Sequence, residues 1–291
     1  MDNNYKIGLY GMGGWSQLFF FIFLFISSAF LSTLIITLAV NIGEIGKTDS
    51  VTRIVMVIQS LGLFLIPSIA FACLCYPQPR IFLSSKISKN WTLMALSILL
   101  IIVIQPLVNC ISYYNQQIIL PESMASLETW MREKEESSAA LVKLLFIDRS
   151  IGGLILNLLV IAVVAGIVEE FFFRGCLQQI VQKIVINKHI AIWMAAIIFS
   201  IFHFQFYGFI PRVLLGALLG YLFVWSHSIW IPVIVHIVHN AINVILIYVF
   251  YDIPETEQIS YFSLDQNMIL ILSSLTLSGL ILFIYIKKIM G

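Results

Sequence analysis

Three short stretches place ionisable or amide side chains inside apolar sequence. They are VVAGIVEEFFFRGC with Glu169, Glu170 and Arg174, FSIFHF with His203, and SIWIPVIVHIVHNAIN with His236, His239, Asn240 and Asn243. A charged group costs roughly 2.5–3.5 kcal/mol or more near a bilayer centre, so each needs a partner or a function. On a helix, Glu170 and Arg174 lie four apart on one face, which predicts an ion pair. Glu169 is turned by about 100° from Glu170 and is left for other work. Phe199 and His203 share a face in the same way. A turn near Asn187 and Lys188 would bring Glu169 and His203 to similar depth on an antiparallel hairpin, at about 1.5 Å of rise per residue. His236, His239, Asn240 and Asn243 fall within a polar arc of about 100° on one helix.

These residue types suit hydrolysis of a peptide bond. That reaction needs a nucleophilic water, a base to take its proton and donors for the developing negative charge. A carboxylate in an apolar setting can act as the base. A histidine and an asparagine one turn apart can both donate, and two such pairs overlap here, His236 with Asn240 and His239 with Asn243. Interhelical hydrogen bonding alone is the structural alternative. A zinc ion held by Glu169, His203 and His236 is another, since His and carboxylate are ordinary zinc ligands. A transporter or non-proteolytic scaffold would use the same polar cluster as a proton relay or binding cavity. The sequence contains no GxSG, GxGD or HExxH, so serine, aspartyl and site-2-type metalloprotease chemistries lack their motifs.

The surrounding sequence is that of a membrane protein. Hydrophobic residues make up 60% of the 291 and charged residues 11%, about half the charge of a soluble domain. Long, uniformly apolar runs predict an all-α polytopic protein with about eight spans, at about 15–40, 54–76, 91–113, 151–185, 190–206, 211–227, 229–250 and 266–286. Residues 1–150 form an N-terminal three-helix region whose polar segment, 114–150, carries an amphipathic helix expected on the membrane surface. Residues 151–250 hold the candidate catalytic core, and 251–291 a polar loop with a last span. Eight spans put both termini on one side, with Lys6, Arg80, Lys86, Lys89, Arg174, Lys183, Lys188, Lys287 and Lys288. The other side has Lys47, Arg53, Arg132, Lys134, Lys143, Arg149 and Arg212. The excess favours cytoplasmic termini in a cell membrane. Cys73, Cys75, Cys110 and Cys176 lack disulfide or zinc spacing and are assigned to packing.

EEFFFR fits EExxxR, FSIFH fits FxxxH and HIVHN fits HxxxN, in that order on successive helices. The set resembles the CPBP family of intramembrane proteases, which includes Rce1-type CAAX-processing enzymes and bacterial bacteriocin-processing or self-immunity proteins. The resemblance covers about residues 151–245. It implies an eight-helix glutamic endopeptidase in which Glu169 is the general base for water and His203 binds and orients that water. His236 and Asn240 would stabilise the oxyanion, while Glu170 and Arg174 organise the site beside Phe199. His236/Asn240 is preferred over His239/Asn243 because Trp230 and Pro232 form the usual turn upstream. The resemblance implies no cofactor. The expected partners are the bilayer and a peptide or protein substrate that is membrane-associated or lipidated, with no nucleic acid.

Overall fold

The computed structural model describes residues 9–42, 48–86, 90–252 and 260–290; Lys6, Lys47 and Lys89 of the charge comparison lie outside them. Among the described residues the chain is helical, without strands. The main helices are α1 (Gly14–Ile42), α2 (Asp49–Cys75), α3 (Trp91–Val103), α4 (Gln105–Gln116), α5 (Ala125–Leu145), α6 (Ile151–Val185), α7 (Lys188–Ile201), α8 (Phe209–Ser226), α9 (Trp230–Val249) and α10 (Leu264–Met290). Six of these are long and apolar enough to cross a membrane, and seven if the bent pair α3–α4 counts as one span. The protein is therefore all-α and multi-pass in the membrane.

The expected fifth span, 190–206, is the 14-residue helix α7, which stops at Ile201. The reason is tertiary. Phe202 packs against Phe25, Phe172 and Phe173, while Phe206 meets Trp130 with ring centroids 5.3 Å apart. These two anchors pull the backbone out of helical register, and Phe204 takes a positive φ of 51° between them. His203 therefore lies in a turn and not on the helix with Phe199.

Local chemistry sets the other ends. Ile186 adopts the left-handed conformation that closes α6, and the Asn187 side chain accepts from the amides of His189 and Ile190 to start α7. The turn thus falls at Ile186 and Asn187, one residue before the position expected from the sequence. The 41° bend between α3 and α4 sits at Ile104, two residues before Pro106 in the first turn of α4. Proline cannot donate to the preceding turn, which accounts for the kink.

Helix α6 is not uniformly α-helical. Leu158–Val164 and Phe173–Leu177 are π-helical, bracketing an α-helical segment Ala165–Phe172 that carries both glutamates. Such turns add a residue to the local repeat, so nearly every residue from Val168 to Ile180 is buried against a neighbour. Glycines let the helices close up. A Cβ on Gly166 would lie 2.8 Å from Ile237 Cγ1 of α9, and one on Gly216 of α8 would lie 3.2 Å from Ala196 of α7.

The amphipathic segment forms helix α5, and it is docked to the bundle. Arg53 Nη2 and Asn157 Nδ2 both donate to the Leu145 carbonyl, at 2.9 and 2.8 Å, and Arg53 Nε donates to Asn157 Oδ1 at 2.9 Å. Asp49 completes the set by pairing with Arg53 at 2.8 Å. Toward its other end, Arg132 stacks over the Tyr207 ring. Arg132 also binds Glu128 Oε1 through Nε and Nη2, which holds that carboxyl below the usual carboxylate range. Arg53 and Arg174 are buried, and Arg212 lines an internal cavity, so none of the three is a loop charge. Cys75, Cys110 and Cys176 are buried as expected, whereas Cys73 is exposed on the outside of the bundle and packs into no core.

Candidate active site

The centre of the site is Glu170, which is completely buried. Its Oε1 accepts from Arg174 Nη1 at 2.6 Å and from His236 Nδ1 at 2.8 Å. The expected i, i+4 ion pair is present, and it survives the π-helical turn that begins at Phe173. Arg174 is held further by Nη2 donating to the Gly216 carbonyl at 2.8 Å and by the Phe199 ring, 4.9 Å from its guanidinium carbon. Gly216 allows this because it keeps α8 close to Ala196 and Phe199. One arginine thus ties α6, α7 and α8 together, and Glu170 adds α9 through His236.

Glu169 sits differently. Its side chain is 14% exposed, and Oε2 lies 3.8 Å from His236 Nε2. That oxygen is buried without a hydrogen-bond partner among the described residues, as is Oε2 of Glu170. Because a carboxylate can only accept, His236 Nδ1 carries the hydrogen toward Glu170. The other ring nitrogen, Nε2, faces Glu169.

His203 reaches the same region from the turn after α7. Its Nδ1 donates to the Phe199 carbonyl at 2.9 Å, which leaves Nε2 free to accept. Glu169, Arg212 and His236 all lie within electrostatic range of its ring. Phe199 is the common wall, edge-on to His203 at 4.8 Å between centroids and to His236 at 5.8 Å.

Asn240 and Asn243 border the same cavity on α9. Asn240 Nδ2 donates to the Ile161 carbonyl at 3.1 Å, in the first π-helical stretch of α6. Its second amide hydrogen has no such tie among the described residues. The other register, His239/Asn243, is engaged elsewhere. Gln105 donates to both the Ile101 carbonyl and His239 Nδ1, each at 2.9 Å, and His239 Nε2 faces the Asn243 amide at 3.2 Å. His239 thereby joins α9 to the kink between α3 and α4.

A cavity of about 190 Å³ is bounded by Phe199, His203, Arg212, His236, His239, Asn240 and Asn243, with Ile101, Leu215, Leu219 and Val235 as its apolar wall. It has room for roughly six waters at liquid density. Among the described residues, no group of three or more His, Cys, Asp or Glu side chains is arranged to hold a metal ion. Sequence reasoning misses Gln105 and Arg212. The signal for both is present: a lone polar residue in an apolar run, the first before a proline and the second in FIPRVLLG.

Comparison with known proteins meets the same segment. Residues 151–242 match the family described as type II CAAX prenyl endopeptidase Rce1-like. The sequence is also similar to a Bacillus subtilis (strain 168) protein described as uncharacterized protein YpbD, with 29% identity over 129 residues. That similarity covers 43% of this protein and 61% of the relative's length. No solved structure matches. The matched segment runs from the start of α6 into α9 and contains Glu169, Glu170, Arg174, His203, His236 and Asn240: over residues 151–242 the chain is similar to the Rce1-like family.

Proposed function

We propose that the protein is an intramembrane endopeptidase that hydrolyses a peptide bond with a water activated by Glu169 and His203. The observation that carries this reading is the unequal fate of two adjacent carboxylates. Glu170 is neutralised by Arg174 and bonded to His236, whereas Glu169 stays uncommitted beside the cavity wall. The similarity of residues 151–242 to the Rce1-like family supports the reaction class.

In this mechanism a water sits between Glu169 and the free Nε2 of His203. Glu169 takes its proton as the oxygen attacks the substrate carbonyl, and the proton then passes to the leaving amine. His203 is oriented by the Phe199 carbonyl and polarises the water. The negative oxygen of the tetrahedral intermediate is met by the uncommitted hydrogen of the Asn240 amide. His236 adds a second donor through Nε2 when its ring carries both protons, one directed to Glu170 and one to this oxygen. Preorganised donors of this kind contribute a few kcal/mol to a transition state. Glu170 holds His236 in the required orientation from the opposite nitrogen. The termini face the cytoplasm in this proposal, in which the shorter apolar helix α7 and the bent pair α3–α4 each count as a span, making eight. With the three non-loop arginines removed, eight basic residues remain on the side of the termini and five on the other.

The substrate class is tested with purified protein in lipid nanodiscs, incubated with farnesylated CAAX peptides, the same peptides unmodified, and a random peptide library. Mass spectrometry of the products should show discrete cleavage that resists chelators. Cleavage abolished by chelator and restored by zinc would transfer the mechanism to a metal. No cleavage of any pool would favour a scaffold.

A further inference from the structure

The cavity has one strongly cationic wall that the mechanism above does not use. Arg212, in the first turn of α8, lines it together with His203 and His236. Its guanidinium is held by a single residue: Nη1 donates to the Gln205 carbonyl at 2.8 Å and Nη2 to Gln205 Oε1 at 3.1 Å. Gly208 supplies the space, because a Cβ there would collide with Nη2. Two of the five N–H donors are thereby fixed, leaving three in a rigid, oriented fork. Among the described residues no carboxylate lies within ion-pair distance of Arg212; Glu135 and Glu169 act on it only from farther away. Arg174 shows the contrast, since its charge is fully matched by Glu170. A preoriented guanidinium in a cavity that also has apolar lining can bind a carboxylate through two parallel hydrogen bonds.

We propose that Arg212 is a specificity-determining residue that binds a carboxylate of the peptide lodged in the cavity. This deepens the proteolytic reading and rests on it. A residue of extended peptide spans about 3.3–3.6 Å, and a cavity of this size admits few of them. The carboxylate must therefore lie within a few residues of the bond placed at Glu169 and His203. It can be the C-terminus of the peptide or an aspartate or glutamate side chain near the bond.

Retention of peptides by protein that does not turn them over separates the two readings. The Glu169→Gln protein, immobilised in nanodiscs, is offered three random dansyl-pentapeptide pools: free acids without acidic residues, the same sequences amidated, and amidated sequences with one internal Asp. Mass spectrometry of the retained peptides should show one carboxylate pool enriched at least about tenfold over the neutral amides, the scale of a charge-assisted hydrogen bond. Which pool is enriched identifies the source of the carboxylate. The preference should vanish with Arg212→Met, survive in part with Arg212→Lys, and fall with Gly208→Ala, which displaces the fork but keeps the charge. Equal retention of the three pools, including none, overturns the proposal. So does a preference that persists unchanged in both Arg212→Met and Gly208→Ala. Failure of the wild type to cleave peptides would remove the proteolytic reading and leave this measurement intact.

Discussion

Glu170 and His236 are joined by a 2.8 Å hydrogen bond from the imidazole Nδ1 to the carboxylate Oε1, and this bond links α6 to α9 behind the part of the cavity wall that His236 forms. The same oxygen receives Arg174, so a single atom fixes the positions of three helices relative to α9. In the proposed mechanism this divides the work of the two glutamates: Glu170 builds the site, and Glu169, its neighbour in sequence, acts in it.

Glu170→Ala should leave Arg174 as an uncompensated buried charge. Removing one partner of such a pair costs about 3–5 kcal/mol. Unfolding in detergent should show a loss on that scale for Glu170→Ala and for Arg174→Leu. The double variant should lose less than the sum, because the two residues share one interaction.

Helix closure at Gly166 is the second exposed point. Gly166→Val would drive a side chain into Ile237 and its backbone, an overpacking cost of about 1–3 kcal/mol. Because Ile237 adjoins His236, the same variant should also reduce activity through displacement of the ring. Unchanged stability and activity would mean that α6 and α9 do not approach as closely as described.

The docking of α5 predicts a local effect. Asn157→Ala removes one of two donors to the Leu145 carbonyl and the acceptor of Arg53 Nε, at a cost of roughly 1–3 kcal/mol. Hydrogen exchange should accelerate across 140–146 while the amides of α8 keep their protection. Uniform acceleration across the protein would instead indicate a global role for Asn157.

How much of this is legible in the sequence depends on whether a feature is local. The Glu170–Arg174 pair follows from four-residue spacing, and the turn at Asn187 follows from its capping side chain. Both are short-range chemistry, and the structure has them. The π-helical turns on either side of the glutamates are not encoded in any periodicity that apolar residues reveal, since every position in FFFRGC is equally apolar or buried. The end of α7 before His203 is hidden for a related reason. It is set by Trp130, Phe25 and Phe172, residues distant in sequence. Arg212 and Arg53 look like loop charges in the sequence because their partners, Gln205 and the Asn157–Leu145 pair, become visible only in three dimensions.

His203→Ala should separate chemistry from folding. Among the described residues the ring bonds only to the Phe199 carbonyl, so its loss should hardly change the unfolding transition. Turnover should fall by about 10²–10⁴, the usual contribution of a positioned acid–base group. Full activity in this variant would remove His203 from the mechanism.

The most direct measurement compares the cleavage rate of one peptide by the wild type and by Glu169→Gln, with both proteins shown to share the same unfolding transition. The mechanism predicts a correctly folded Glu169→Gln protein whose turnover is lower by about a thousandfold or more. Cleavage by Glu169→Gln at the wild-type rate would contradict it, because the carboxylate assigned to activate water would then be dispensable.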